Sequence, residues 1–372
     1  MNVIITSPSL DPRENVSGIS SVTRFIIDNN RAVNYLHFLL GKKDREKGGL
    51  RRVLALWHSY HAWKRMLADN ADALIHYNLP LSRASLLRDP WFMRYALRRG
   101  HKMVVHMHGG LFLTAPHIPF YLRPILRWVF SQRVPFIALS DMEKDILTAR
   151  WGAKTVVSLP NCVDLHDAQA FAEEKRSCDD AHPLRLGYLG RIEPNKGMNE
   201  LLMACRQLKQ KGCPFLLMMA GKEQTEGEYL PRFERELKDS FRYVGLVSGP
   251  TKCQFLRSLD VLVMPTYFEG LPMSLLECMS YGAVPVVTPV GSIPQVVTDG
   301  VNGLLIHTHD SESVVEAVRR LNEDRTLLKT LGRAARQTIF SQYNPQRYVD
   351  ELNHIYTLTS QDERLRHAQS HL

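Results

Sequence analysis

Short apolar runs alternate with amphipathic segments along the whole chain of 372 residues. Most of these runs are continuously hydrophobic, as strands are when both faces of a parallel sheet are covered. In the first half, the runs that predict strands are 2–6, 34–40, 73–77, 103–107, 135–139 and 155–158. After a polar stretch at 168–183, six more follow: 184–189, 214–220, 242–244, 260–264, 284–287 and 303–306.

Strands that alternate with helices predict an α/β fold with parallel sheets. The chain is too long for one ordinary core, because a domain holds about 150 residues. We therefore predict two doubly wound, Rossmann-like domains that face each other across a cleft. The first covers 1–165, with a carboxyl-terminal helix at about 344–372 packed back on it, and the second covers 166–343. Ligands of such sheets bind beyond the carboxyl ends of the strands.

The composition is typical of a soluble globular protein, with 44% hydrophobic and 23% charged residues. No run of about 18 apolar residues predicts a membrane-spanning helix, and the first residues read as a strand rather than as a leader. The six cysteines have no C-x-x-C spacing. We interpret them as reduced thiols of a cytoplasmic protein and predict no metal site.

The net charge of +9 is unevenly distributed. Residues 1–170 contain 23 Lys and Arg against 13 Asp and Glu, whereas the remainder contains 24 against 25. This asymmetry indicates either a solvated basic face or a surface that meets an anionic partner. Nucleic acid, an anionic membrane and a phosphorylated substrate are the partners that it leaves open.

The most informative segment is E-G-L-P-M-S-L-L-E, in which Glu269 and Glu277 bracket a turn. Apolar runs lie on both sides, so the segment is predicted to be the turn and helix of a strand–helix–strand unit. Pro272 suits the first position of a helix. The amides of Met273, Ser274 and Leu275 would then point outward from a helix N-terminus, which favours phosphate binding.

A second candidate loop follows the run 184–189, where Gly190 and Arg191 precede Lys196 and Gly197. Glycine allows a close approach of the backbone, and the two cations suit phosphate oxygens. The spacing is neither a Walker loop nor G-x-G-x-x-G, so a dehydrogenase is disfavoured.

Together these motifs resemble the retaining glycosyltransferases of family 4, which have the GT-B fold. Four further segments of the chain match the resemblance: Leu159–Asp164 with Asn161, Ala220–Gly221, Val290–Val297 and Asn302–Leu305. The resemblance spans almost the whole chain and is densest from 184 to 306.

The resemblance implies that the second domain binds a nucleotide-sugar, with Arg191 and Lys196 at the diphosphate and Glu277 at the ribose hydroxyls. Glu269 would lie beside the donor sugar, either as a nucleophile or, as we favour, as a group that orients sugar hydroxyls. The remaining donor-binding residues are predicted to be Asn161, Gly190, Gly221, Gly270, Leu271, Pro272, Met273 and Ser274. A departing nucleoside diphosphate gains negative charge, which cations and a helix N-terminus stabilise without a metal or other cofactor.

In the first domain, the resemblance places a histidine before glycine at a strand end, and His108 with Gly109 matches. His106 alternates to the same side of the strand and stays an alternative. The loop after the first strand keeps only Gly18 of the family's two glycines. Ser140 is predicted to cap the helix that follows it.

Three basic, aromatic clusters in the first half are candidates for the acceptor side. They are 42–66 with Trp57, Tyr60, Trp63, Lys64 and Arg65; 91–99 with Trp91, Arg94 and Arg98; and 120–128 with Phe120, Arg123, Arg127 and Trp128. Such helices suit an anionic membrane surface. They also suit single-stranded nucleic acid, for which no accompanying motif exists, or a packed helix with a solvated basic face.

We therefore expect a cytoplasmic, metal-independent transferase that moves a hexose from a UDP- or GDP-sugar to a glycan or lipid-linked acceptor in cell-surface polysaccharide synthesis. Peripheral association with the inner membrane face is part of this expectation, and nucleic acid is not an expected partner. The alternatives are a nucleotide-sugar epimerase of the same fold and a non-catalytic subunit that binds nucleotide-sugar or glycan.

Overall fold

The computed structural model describes residues 1–11, 13–15, 17–41, 50–115, 117–171 and 182–369. The chain divides into two compact units. The first unit comprises Met1–Asn161 and Gln346–Leu372, and the second comprises Cys162–Pro345. The last helix of the chain therefore belongs to the first unit. The basic run at 42–49 and most of the polar stretch, 172–181, lie outside the described residues.

The first unit is built on a six-stranded parallel sheet of order β2-β1-β3-β4-β5-β6. Its strands are β1 (Asn2–Ser7), β2 (Asn34–Leu39), β3 (Leu74–Leu79), β4 (Met103–Met107), β5 (Phe136–Ala138) and β6 (Val156–Ser158). Its helices are α1 (Gly18–Asn29), α2 (Leu50–Asp69), α3 (Arg83–Arg98), α4 (Leu111–Thr114), α5 (Arg123–Phe130) and α6 (Asp141–Trp151), together with the carboxyl-terminal helix (Pro345–Gln369). Phe120–Leu122 forms a 3₁₀ turn.

The second unit has a parallel sheet of order β12-β11-β10-β7-β8-β9. Its strands are β7 (Leu184–Leu189), β8 (Phe215–Ala220), β9 (Phe241–Gly245), β10 (Val261–Met264), β11 (Val284–Val287) and β12 (Leu304–Leu305). Its helices are α7 (His166–Gln169), α8 (Met198–Gln210), α9 (Leu230–Leu237), α10 (Gly249–Ser258), α11 (Met273–Ser280), α12 (Ile293–Val296), α13 (Ser311–Glu323) and α14 (Arg325–Gln342). The carboxyl-terminal helix of the chain is α15. Short 3₁₀ turns lie at Pro194–Lys196 and Lys238–Ser240.

Both sheets reverse their direction of strand addition once, between β1 and β3 in the first unit and between β7 and β10 in the second. The carboxyl ends of the strands at such a reversal diverge and leave a crevice for ligands. The predicted doubly wound α/β fold is confirmed. Among the inner strands, β3 differs most from its predicted range. It continues to Leu79, whereas the predicted strand ends at Tyr77.

Each unit has its own hydrophobic core. In the first, Ile75 and Phe136 of the sheet are fully buried beneath the helices, as is Trp63 of α2. Trp63 also donates a hydrogen bond from its indole N–H to the carbonyl of Phe92, at 3.1 Å. Of the alternatives for this helix, the packed one holds for Trp63, because Trp63 faces the sheet, whereas Trp57 of the same helix is 58% exposed.

The predicted cap of α6 is confirmed. The hydroxyl of Ser140 accepts a hydrogen bond from the Glu143 amide and caps α6. All the described cysteines are free thiols, namely Cys162, Cys205, Cys213, Cys253 and Cys278. Among the helices in the described part of the chain, none is long and apolar enough to cross a membrane.

Candidate functional site

The loops that follow β7 and β10 lie side by side, because these two strands are paired in register at the reversal of the second sheet. The amide of Tyr267 donates to the carbonyl of Asn195 at 3.0 Å. Gly197 has φ +69°, and a Cβ at this position would lie 2.0 Å from the carbonyl oxygen of Pro265. Only glycine permits this approach, so the two loops are held against each other.

An ion pair connects the two loops at the predicted site. The Nζ of Lys196 lies 2.6 Å from Oε1 of Glu269, and the two side chains are 22% and 13% exposed. Arg191 begins the loop after β7, and its carbonyl oxygen accepts a hydrogen bond from the hydroxyl of Tyr188. Burial, and secondly the charge of Glu269, holds the pKa of Tyr188 well above its ordinary value. Tyr188 is therefore a neutral donor that fixes the backbone at Arg191.

The turn before α11 differs from the prediction by one residue. Pro272 is the N-cap rather than the first helical residue, because its ψ of 123° is extended. The amide of Leu275 is also not free, since it donates to the carbonyl of Pro272 at 3.2 Å. The helix starts at Met273, so the amides of Met273 and Ser274 belong to its first turn and have no carbonyl one turn earlier to accept them.

A third loop supports this turn from the side of β11. The amide of Ser292 donates to the carbonyl of Gly270 at 2.9 Å. Gly291 has φ +57°, and an added Cβ would lie 2.1 Å from the carbonyl oxygen of Glu269. Leu271 is buried at the centre of the turn. The backbone around Glu269 is therefore fixed by its packing in the free protein.

Glu277 lies inside α11 and is paired with a residue that the sequence analysis missed. The Nζ of Lys252, in α10, lies 2.6 Å from Oε1 of Glu277. The two side chains are 29% and 17% exposed, close to the values for Lys196 and Glu269. The site thus contains two similar lysine–glutamate pairs.

The predicted glycines after β7 and β8 also come together. The amide of Gly190 donates to the carbonyl of Ala220 at 3.1 Å, and the amide of Gly221 donates to the carbonyl of Gly245 at 2.9 Å. The hydroxyl of Tyr243 donates to the carbonyl of Gly221 at 2.7 Å. Asn161, in contrast, is a buried residue at the end of the first segment of the other unit.

In the first unit, His108 and Gly109 follow β4, and Gly18 begins α1. A Cβ at Gly18 would meet nothing within 4 Å, so the fold of this unit does not itself require glycine there. Nε2 of His108 lies 2.6 Å from Oδ1 of Asn78 in β3. Burial, and secondly the neighbouring His76, lowers the pKa of His108 to about 3, so its ring is neutral at pH 7.

The alternative residue, His106, is completely buried. Its Nδ1 lies 3.1 Å from Nε2 of His76, whose Nδ1 lies 2.6 Å from the hydroxyl of Tyr356. Burial lowers the pKa of His106 well below its ordinary value. Of the two histidines, His108 is the one that keeps part of its surface exposed and can meet a ligand.

His76 and Asn78 were also not predicted from the sequence. Both are polar residues at alternate positions of a buried strand, and Asn78 is in register with His106 of the next strand. The available signal was the alternation of polar residues, because β3 carries His76 and Asn78 and β4 carries His106 with His108 directly after it.

Comparison with known proteins shows which family the second unit resembles. Residues 172–338 match the family model described as glycosyl transferases group 1. The match lies within the second unit and covers less than half of the chain. A curated relative is the capsular polysaccharide biosynthesis glycosyltransferase CapM of Staphylococcus aureus, at 24% identity over 180 residues. That alignment covers 46% of this chain and 45% of CapM, so the chain spans about half the length of this relative.

Solved structures extend the likeness to both units. Sucrose-phosphate synthase from Thermosynechococcus elongatus superposes with a TM-score of 0.77 and 19% identity, over 96% of this chain and 98% of that chain. HepE from Anabaena, solved in complex with UDP-glucose, superposes with a TM-score of 0.73 and 16% identity, over 96% and 99%. At these identities the superpositions show the fold, which is GT-B.

Proposed function

We propose that this chain is a glycosyltransferase, which transfers a hexose from a UDP- or GDP-linked donor to a glycan or lipid-linked acceptor. The observation that carries the proposal is the arrangement at the carboxyl ends of β7 and β10. There, Lys196 and Glu269 form one ion pair, Lys252 and Glu277 form another, and the first turn of α11 begins between the two glutamates. Three kinds of group that bind a nucleotide-sugar are thereby combined: cations, carboxylates and helical amides.

The diphosphate is proposed to bind between the loop of Arg191 and Lys196 and the amides of Met273 and Ser274. A helix N-terminus favours anions through its amides and its dipole. When the bond between the sugar and the diphosphate breaks, negative charge increases on the leaving group. Fixed cations and amides stabilise this charge without having to reorganise. We therefore expect the transfer to proceed without a metal ion.

The two glutamates have different proposed tasks. Glu277 accepts hydrogen bonds from the ribose hydroxyls, for which a carboxylate positioned by Lys252 is well suited. Glu269 orients hydroxyls of the donor sugar in a displacement that retains the anomeric configuration. His108, in the first unit, is proposed to contact a sugar hydroxyl with the exposed part of its neutral ring.

A turnover assay tests the donor site. Purified protein is incubated with single UDP- and GDP-sugars and a glycan or polyprenyl-linked acceptor, and the released nucleoside diphosphate is measured. We expect Glu277→Ala to fold normally and to lose turnover. Glu312→Ala is the matched control, because Glu312 also accepts a hydrogen bond from a lysine, Lys211. The Glu312 side chain, however, is exposed and belongs to α13, outside the candidate site. Equal turnover in wild type and Glu277→Ala would contradict the proposal.

For the acceptor, we propose a glycan used in surface polysaccharide synthesis, presented at an anionic membrane. The relative CapM has capsular polysaccharide synthesis in its name. In the first unit, Trp91 is 65% exposed, Phe120 is 82% exposed and Tyr121 is 46% exposed, and basic residues surround them in the sequence. Exposed aromatic rings among Lys and Arg side chains suit the interface of an anionic bilayer.

Co-sedimentation with vesicles tests the membrane part separately. We expect binding to vesicles that contain phosphatidylglycerol, weaker binding to neutral vesicles, and a loss of binding in Phe120→Ser. The matched control is Leu358→Ser, which removes an exposed apolar side chain from α15 of the same unit. An absence of binding to anionic vesicles at moderate salt would exclude the membrane part and leave the donor site untouched.

A further inference from the structure

The hydrogen bonds of Asn78 determine which way its side-chain amide faces. The Nδ2 group lies 2.7 Å from the carbonyl oxygen of Thr6 and 3.0 Å from the hydroxyl oxygen of Thr23. A carbonyl oxygen is only an acceptor, so the NH₂ end of the amide must face it. Both N–H groups of Asn78 are then used, and its Oδ1 faces Nε2 of His108 at 2.6 Å.

This orientation has a consequence for the proton on His108. Because Oδ1 of an amide only accepts, Nε2 of His108 must carry a hydrogen; otherwise two lone pairs would face each other at 2.6 Å. Burial keeps the ring neutral at pH 7, because it lowers the pKa of His108 to about 3. A neutral imidazole has only one N–H group, so Nδ1 is left as an acceptor. Among the described residues, none forms a hydrogen bond with Nδ1.

We propose that Asn78 fixes His108 as the Nε2–H tautomer, so that Nδ1 accepts a hydrogen bond from a hydroxyl group of the sugar. Asn78 is a positioning residue in this proposal, since it acts through His108. The inference rests on the proposed function for the contact between His108 and the sugar, but the tautomer itself does not. A sugar hydroxyl is the suitable partner, because it can donate to Nδ1.

The surroundings of Asn78 make it a rigid support. Asn78 is 4% exposed, and Thr6 and Thr23 are 1% and 0% exposed. The amide of Asn78 also donates to Oγ1 of Thr6 at 3.1 Å, which fixes the backbone of β3 against that of β1. A half-turn of the side-chain amide would place its NH₂ group against the N–H of His108 and its oxygen against the carbonyl of Thr6. Both contacts are repulsive, so the buried network selects one orientation.

The tautomer is measured directly on the full chain. Histidine labelled with ¹⁵N is incorporated, and long-range ¹H–¹⁵N spectra are recorded at pH 7.5. The resonances of His108 are assigned by their loss in His108→Gln. We expect a protonated Nε2 and an unprotonated Nδ1. A protonated Nδ1, alone or together with Nε2, would overturn the proposal even if no variant of Asn78 folded.

Two variants extend the measurement. Asn78→Ala removes the acceptor, and we expect the spectrum of His108 to change to a mixture of tautomers. Thr23→Val is the matched control, because it removes one of the two groups that accept from Nδ2 and keeps the carbonyl of Thr6. We expect it to retain the Nε2–H tautomer. A single, unchanged tautomer in Asn78→Ala would contradict the role of Asn78.

Kinetics then separate this inference from the proposed function. With the donor that is turned over, we expect Asn78→Ala to lower kcat/KM on the order of tenfold, as for one lost hydrogen bond. In a His108→Gln background the same substitution should cost almost nothing more, because its effect passes through His108. An equal loss in both backgrounds would refute the positioning role. Turnover that is unaffected by His108→Gln would instead refute the proposed function of His108 and leave the tautomer standing.

Discussion

A comparison of the two lysine–glutamate pairs separates the contribution of a lysine to protein stability from its contribution to donor binding. Lys196→Met and Lys252→Met each remove a lysine whose Nζ lies 2.6 Å from a glutamate oxygen. The lysine side chains are 22% and 29% exposed, and their partners Glu269 and Glu277 are 13% and 17% exposed. The two substitutions therefore leave behind carboxylates that are buried to nearly the same extent.

The expected cost to stability is similar for both variants. Exposed ion pairs contribute up to roughly 1 kcal/mol, whereas loss of one partner from a fully buried pair costs about 3–5 kcal/mol. For these partly exposed pairs we expect an intermediate loss of about 1–2 kcal/mol in the free energy of unfolding. In a unit of this size each kcal/mol lowers Tm by about 2–4 °C. Thermal unfolding should thus show nearly equal decreases in Tm.

The effect on nucleotide binding should differ. Lys196 is proposed to contact the diphosphate, and a hydrogen bond to a charged group contributes roughly 1.5–3 kcal/mol. Isothermal titration with UDP, and with GDP, should therefore show a Kd that is about 10- to 150-fold weaker in Lys196→Met. Lys252→Met should show a smaller loss, since Glu277 remains to bind the ribose. A Kd of Lys196→Met equal to that of wild type, or a larger loss in Lys252→Met, would refute the assignment of Lys196.

Three further predictions follow from the same structure. Gly291→Ala should lower Tm and weaken UDP binding, because its Cβ would lie 2.1 Å from the carbonyl oxygen of Glu269. The control is Gly300→Ala, since Gly300 also has a positive φ but has open space around it, and equal decreases of Tm in the two variants would contradict the role of the close contact. EDTA should leave turnover of the purified enzyme unchanged, and a loss restored by Mg²⁺ would contradict metal-independent transfer. Burial lowers the pKa of His76 and His108 to about 3, below the ordinary value of 6.5. The unfolded chain therefore binds more protons than the folded one in this range, and the free energy of unfolding falls as pH decreases from 6.5 towards 3. Tm measured against pH should decrease less in His108→Gln than in wild type, and identical curves would contradict the lowered pKa.

The fold was predictable from the sequence because the strands of both sheets are nearly continuous apolar runs. The end of β3 was misplaced because Asn78 is polar and interrupts the run after Tyr77. Its amide is buried without penalty only because Thr6, Thr23 and His108 satisfy its hydrogen bonds. Two of these partners come from β1 and α1, more than 50 positions away, so no local pattern indicates them.

Residues of the candidate site could be predicted from the sequence where they lie close together in one segment of the chain. Glu269 and the turn after it connect β10 to α11, and Glu277 lies within α11, as the sequence predicts. Lys252 was missed because it belongs to α10, and only the packing of α10 beside α11 brings it to Glu277. The burial of Trp63 decides between the alternatives that the sequence left open for α2. Periodicity puts Trp63 on the same face of α2 as Leu67, and that face packs against the sheet.

The central claim is that the carboxyl ends of β7 and β10 bind a nucleotide-sugar, and a thermal-shift titration against a panel of UDP- and GDP-sugars tests it most directly. At a donor concentration of 100 times Kd, binding stabilises the folded state by about 2.7 kcal/mol. We predict that one nucleotide series raises Tm of the wild type and of Glu312→Ala, and that Glu277→Ala loses the increase. Stabilisation of Glu277→Ala equal to that of wild type, or no stabilisation by any donor, would contradict the claim.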